Sequence, residues 1–151
     1  MISLNRLADE PAVVGWPESP ARPYDGEMKK TVLDVGNCRG DHVWIATTLR
    51  THFDVEVVRA ATATEATSIL NSRSIDLVLV NRRIDGDGSE GIDLVRRLKE
   101  SPQSAAVPVM LISNYPEAQA AAVAAGAEEG FGKDSLESEE TIRKLRRFLG
   151  H

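Results

Sequence analysis

Any chemistry this chain performs is expected around Asn81. The six residues before it, Ile75-Asp76-Leu77-Val78-Leu79-Val80, are apolar except for Asp76, and a Gly/Asp-rich loop, Arg82-Arg83-Ile84-Asp85-Gly86-Asp87-Gly88, follows at once. A short apolar run with β-branched residues, closed by turn formers, predicts a strand buried on both faces. Such strands belong to parallel sheets covered by helices, and their chemistry sits at the carboxyl ends of the strands. Asn81 holds that place with a neutral amide, whose oxygen is a poor nucleophile. Asp85 and Asp87 faintly echo a Ca²⁺ loop, but its sixth place holds Glu90 where glycine is needed, and its twelfth holds Arg96 where a bidentate glutamate is needed. A solvated turn with a helix cap from Asp87 or Ser89 is the expectation, and no metal.

Asp34 is the second group to explain. It lies inside Thr31-Val32-Leu33-Asp34-Val35, on the same face as Gly36 by strand alternation. An ionised carboxylate buried there needs a partner, and Lys133 or a loop amide are the candidates. The following Gly36-Asn37-Cys38-Arg39-Gly40 has glycines at both ends without the spacing of a phosphate-cradling loop. A flavodoxin-like ligand-binding protein is therefore only an alternative. Cys38 reads as inert, and His42 and His52 as surface or partly buried residues of one helix.

The totals narrow the class. At 151 residues the chain suits one domain plus a tail. A net charge of −5 argues against nucleic-acid binding, and a single cysteine, Cys38, excludes an internal disulfide. No stretch approaches the roughly 20 apolar residues that cross a bilayer. The N-terminus has acidic residues and prolines where a secretory signal would be apolar, so a cytoplasmic protein without membrane association is expected. Residues 1–27 carry four of the seven prolines and no period, which predicts a flexible tail; a start at Met28 would leave the domain of residues 28–150 complete.

Strands and helices alternate from Thr31 onward. Thr31–Val35 is the first strand. Asp41 caps a helix to about Phe53, with Val43, Trp44, Ile45, Thr48 and Leu49 inward. Val55–Val58 is the second strand, Thr64 precedes a short helix, and residues 75–80 form the third strand. Gly91–Glu100 is amphipathic, Val107–Ile112 is a fourth strand, and Pro116 opens an alanine-rich helix that Gly126 closes. Glu129–Phe131 is the fifth strand, and Ser135 caps a last helix with Ile142, Leu145 and Leu149 inward and Arg143, Lys144, Arg146 and Arg147 outward. Five strands alternating with five helices make an α/β fold, doubly wound, with helices on both faces.

The Asp76–Asn81 run, the Pro108…Ser113 strand and Gly126-Ala127…Lys133-Asp134, in this order, resemble the receiver domains of two-component response regulators. The likeness covers about residues 28–150. It implies a CheY-like, flavodoxin-like five-stranded parallel sheet in the order 2-1-3-4-5. In that family an acidic pair ends the first strand, a phosphate-accepting aspartate the third and a Ser or Thr the fourth, and a lysine follows the fifth. Those places here are Gly36-Asn37, Asn81, Ser113 and Lys133. The acidic pair and the acceptor hold a hard divalent cation such as Mg²⁺, which wants anionic oxygens. All three carboxylates are replaced here.

The resemblance therefore implies a degenerate phosphorylation site: a pseudo-receiver that is no enzyme, carries no cofactor and acts independently of phosphorylation. Ser113 is expected to bond nearby backbone, and Lys133 the Asn81 amide or a loop carbonyl. An Asp34–Lys133 pair would be a structural replacement for the lost acid–lysine contact. The family's switch aromatic falls at Gly130, with Phe131 beside it packing into the core. Arg143 to Arg147, with the fourth helix and fifth strand, offers the surface receivers use for dimers and signalling partners. The remaining alternative is a receiver phosphorylated at another acid, with Asp85 and Asp34 as candidates.

Overall fold

A computed structural model describes residues 29–150, so the expected tail at residues 1–27 lies outside the described part. Strands β1 (Lys30–Val35), β2 (Val55–Ala60), β3 (Leu77–Asn81), β4 (Val109–Ile112) and β5 (Glu128–Phe131) alternate with helices α1 (Arg39–His52), α2 (Ala63–Ser72), α3 (Gly91–Glu100), α4 (Pro116–Ala124) and α5 (Glu139–Leu149). The five strands form one sheet in the order 2-1-3-4-5, and all four pairings are parallel. The expected fold is the observed one.

Strand alternation divides the core between two faces. Val32, Leu77 and Leu79 face Ile45 and Leu49 of α1 and Ile142, Leu145 and Leu149 of α5. Leu33, Val78 and Val80 face Ala66 of α2, Leu94, Val95 and Leu98 of α3 and Ala122 of α4. Leu77 to Val80 are wholly buried, as a strand covered on both sides requires. Because β1 and β3 are neighbours in register, with Val35 opposite Val80, their carboxyl ends deliver Gly36 and Asn81 to the same rim.

Local chemistry moved several helix starts. Cys38, not Asp41, stands at the start of α1, which leaves Asp41 in the first turn. Val43 (61% exposed) and Trp44 (39%) lie outside the core. At about 100° per residue a helix cannot turn 43, 44, 45 and 49 to one face, and Ile45 with Leu49 takes it. The Trp44 indole instead donates to Glu137 Oε2 at 3.1 Å. Thr62, not Thr64, caps α2: its hydroxyl accepts from Glu65 N, and Glu65 Oε1 accepts from Ala61 N. Ser138, not Ser135, caps α5 through Thr141 N; Ser135 belongs to a single 3₁₀ turn, Lys133–Ser135.

Gly36 ends β1 with φ +84°, where a side chain is strained, and a Cβ there would stand 2.9 Å from Ile84 Cα and 3.0 Å from Ile84 Cγ1. Both atoms belong to Ile84, backbone and side chain of a wholly buried residue, which leaves little room to yield. Gly36→Ala should therefore destabilise the domain by about 1–3 kcal/mol, read as a lowered urea midpoint at unchanged slope.

Candidate functional site

The rim at the carboxyl ends of β1, β3 and β4 is built outward from Asp34. Its side chain is fully buried, yet neither oxygen is left bare. Oδ1 accepts from Asn37 Nδ2 at 2.5 Å, and Oδ2 lies 2.7 Å from His42 Nδ1. The partners are therefore the imidazole of His42, from the first turns of α1, and the side-chain amide of Asn37. Lys133, one of the two candidate partners, is not bonded to Asp34: its ammonium pairs with Asp41 Oδ2 at 2.7 Å. The reason is the early start of α1, which hangs Asp41 over the loop after β5. Burial, the largest influence, pushes the Asp34 carboxyl above the ordinary value of 3.8. The hydrogen bonds from His42 and Asn37, and the charges of His42 and Lys133, act in the opposite direction without cancelling it.

Asn37 is turned inward by this contact. It is fully buried, and its Oδ1 has no hydrogen-bond partner. The Asn81 amide is equally occupied: Nδ2 donates to Arg83 O at 2.8 Å and Gly36 O at 3.3 Å. Lys133 bonds neither the Asn81 amide nor a loop carbonyl, because Asp41 has taken it. Ser113 does bond local backbone, its hydroxyl oxygen accepting from Tyr115 N at 3.1 Å. Asp85 is exposed, and its backbone N–H donates to Gly36 O. Asp87 Oδ1 accepts from the amide and hydroxyl of Ser89, while Oδ2 accepts from Ala63 N at the start of α2. Those bonds hold the Asp87 carboxyl below the ordinary value, Ser89 contributing most. Asp87 is thus a cap, but for the preceding helix rather than the following one.

Cys38 is exposed at the mouth of α1 and His52 is exposed near its end. The donor set does not fit a hard divalent cation. Gly36 brings no side chain, Asn37 and Asn81 bring only neutral amide oxygens, that of Asn37 fully buried, and both oxygens of Asp34 are taken.

At the β5 edge the expected core role of Phe131 holds, since it is buried against Ile112 and Leu136. Gly130 is crowded: a Cβ there would fall 2.1 Å from Leu111 O. Over that bare stretch lies Gln119 of α4, whose Nε2 donates to Leu111 O (2.9 Å) and Ser113 O (3.1 Å) and whose Oε1 accepts from Gly130 N (3.0 Å). Lys144 of α5 completes the tie by donating to Gly130 O at 3.1 Å. The outward basic row is thus not uniform. Lys144 is drawn in, Arg146 and Arg147 lie over Phe53 and Phe148, and Arg143 is exposed. Between α4, β5 and α5 runs an open groove of about 950 Å³, with Tyr115 and Val123 exposed along it.

A five-stranded parallel sheet in this order, with its polar rim at the ends of β1, β3 and β4, defines a receiver-type α/β protein. The sequence model of the response regulator receiver domain matches residues 41–145, and the chain belongs to that family. Its fold is similar to a putative response regulator from Chloroflexus aurantiacus (22% identity, TM-score 0.72, 82% of this chain and all of that one). It is also similar to the chemotaxis protein CheY4 of Vibrio cholerae (21%, TM-score 0.66, 81% of this chain and all of that one). A third likeness is to the receiver domain of NtrX from Brucella abortus (25%, TM-score 0.63, 80% of this chain and 98% of that one). No curated protein matches the chain significantly.

Three site residues were missed in the sequence: His42, Asp41 and Gln119. His42 was within reach of reasoning, because a buried Asp34 demands a cation and α1 begins just beyond β1. Gln119 had no signal, being one polar residue on an alanine-rich helix.

The raised carboxyl of Asp34 fixes a sign. Its folded pKa exceeds the unfolded 3.8, so the folded state holds this proton more tightly. Stability from this residue is then fully present below pH 3.8 and is lost as pH rises through the folded value. Asp34→Asn keeps an acceptor for Asn37 and a donor for His42 Nδ1. It should match the natural chain in acid and exceed it near neutrality, as urea midpoints across pH will show.

Proposed function

We propose that this receiver domain works without phosphorylation, as a protein–protein interaction module in signal transduction, and that it is not an enzyme. The observation that carries this reading is the state of position 81. The group there is an amide already bonded to Gly36 O and Arg83 O, and no carboxylate lines the cleft beside it. A phosphoryl acceptor needs an anionic oxygen nucleophile and a cation to neutralise the transferred group, and neither requirement is met.

The Gln119 tie supports the same conclusion. A phosphate-driven switch needs two arrangements of β4, α4 and β5, whereas here one amide side chain bonds backbone of β4, β5 and the loop after β4. The groove between α4, β5 and α5 is then held in one shape. In this reading it serves a signalling partner or a second copy, with Glu140 and Lys144 the charges on its α5 border.

Incubation with acetyl phosphate and Mg²⁺ followed by intact-mass spectrometry should leave the natural chain unchanged. A gain of one phosphoryl group would overturn the reading and send the search to Asp85. Asn81→Asp should also stay unlabelled while Gly36 and Asn37 remain. Gln119→Ala should raise amide exchange at Gly130 at least about tenfold, each lost hydrogen bond contributing roughly 1 kcal/mol. An unchanged exchange rate would show that the tie does not hold β5.

A further inference from the structure

Helices α1 and α5 cover one face of the sheet, and a cleft of about 370 Å³ between them is lined by His52, Glu137, Glu139, Ile142, Arg143 and Arg146. Its charges are ordered. Glu137 and Glu139 stand at the start of α5, and Arg143 and Arg146 toward its end. Lys144 and Arg147 of the same helix pair with Glu128, Glu129 and Glu140, whereas Arg143 and Arg146 meet no carboxylate among the described residues. Trp44 borders the acidic end, where its half-exposed indole donates to Glu137. The described chain begins at the basic end. Arg146 lies there over Phe53, the residue that closes α1, and Lys30 N donates to Asp54 O at 3.3 Å just beyond it. Strand alternation sets Lys30 on the same face as Val32, toward α1 and α5.

The sequence ahead of Lys30 carries the complementary order. Residues 17–27 read Pro-Glu-Ser-Pro-Ala-Arg-Pro-Tyr-Asp-Gly-Glu. A polyproline II helix has three residues per turn, so Pro17, Pro20 and Pro23 fall on one ridge of it. Running back from Lys30, the acids Glu27 and Asp25 come first and the base Arg22 follows. Along the cleft from the same end, the bases come first and the acids follow. The spacing agrees too: Asp25 to Arg22 spans about 9 Å of polyproline II, and Arg146 to Glu139 about 10 Å of helix. Such proline ridges dock on aromatic faces, and Trp44 is the exposed aromatic at that end. We propose that Pro17–Glu27 docks as an extended strap in the α1–α5 cleft of its own chain. Asp25 and Glu27 meet Arg143 and Arg146, Arg22 meets Glu137 and Glu139, and the prolines lie against Trp44. The α1 side of the domain is then closed by the chain itself, and a partner is left the groove beside α4.

The test uses the full chain with Cys38→Ser, so that a nitroxide can be attached through Ser19→Cys alone. The amide signals of Trp44, Thr47 and Arg143 should broaden, while those of Thr67 in α2 and Lys99 in α3, across the sheet, stay sharp. Arg143→Glu with Arg146→Glu changes only exposed side chains, so the fold should survive and the broadening should be lost. Adding Asp25→Arg and Glu27→Arg to that chain should restore it. A second sample mixes isotope-labelled chain without nitroxide and unlabelled chain that carries it, and the labelled signals should stay sharp. Broadening in this mixed sample would assign the cleft to a second copy and overturn the proposal. Broadening spread evenly over all the helices, surviving the charge reversal, or not restored by the compensating pair would overturn it as well. None of these readouts depends on whether the rim accepts a phosphoryl group, so the strap and the phosphorylation-independent reading fail separately.

Discussion

A carboxylate with no access to water, in the second strand of the sheet order, is the constraint around which this rim is arranged. Asp34 is flanked in register by Arg59 on β2 and Leu79 on β3, and its own oxygens must be satisfied from above. Burying such a group without partners would cost several kcal/mol, so the chain turns Asn37 inward and brings the first turns of α1 down until His42 reaches it. That placement also delivers Asp41 to Lys133. One buried charge thus decides the orientation of two helix residues, the fate of the first polar residue after β1, and the partner of the lysine after β5. The arrangement is incomplete, since Asn37 Oδ1 remains buried and unpaired.

Two places on the carboxyl side of the sheet are held by side-chain hydrogen bonds. At the rim, Asn37 and Asn81 are neutral amides, and the acid beneath them, Asp34, is buried with His42 facing it. At the β5 edge, Gly130 presents bare backbone: its N–H donates to Gln119 Oε1 and its carbonyl accepts from Lys144. Both places are fixed by hydrogen bonds at the carboxyl end of β4, where Leu111 O and Ser113 O accept from Gln119 and Ser113 Oγ accepts from Tyr115 N.

Much of this was legible in the sequence, for stated reasons. The apolar runs at Leu77–Val80 and Val109–Ile112 are buried on both faces and could hardly be anything but central parallel strands. Asn81 ends β3, Ser113 follows β4 directly and Gly130 lies within β5, as the alternation of elements leads one to expect. What failed depended on helix phase and on distance in the chain. The inward face of α1 could not be read while its start was set at Asp41, and the same error hid the Lys133–Asp41 pair across 92 residues. Local propensity does not report contacts of that separation. The caps at Thr62 and Ser138 were missed because the chain offers several hydroxyl residues near each start, and only the backbone decides among them.

Gly36 sets a limit on what the rim can carry. The backbone after β1 turns through a conformation that suits glycine, and Ile84 fills the space where any side chain would begin. An acid cannot be placed at this position by a single substitution; the loop after β3 would have to retreat first, and Ile84 lies wholly buried within it. A hydrocarbon contact thus decides that no carboxylate stands there.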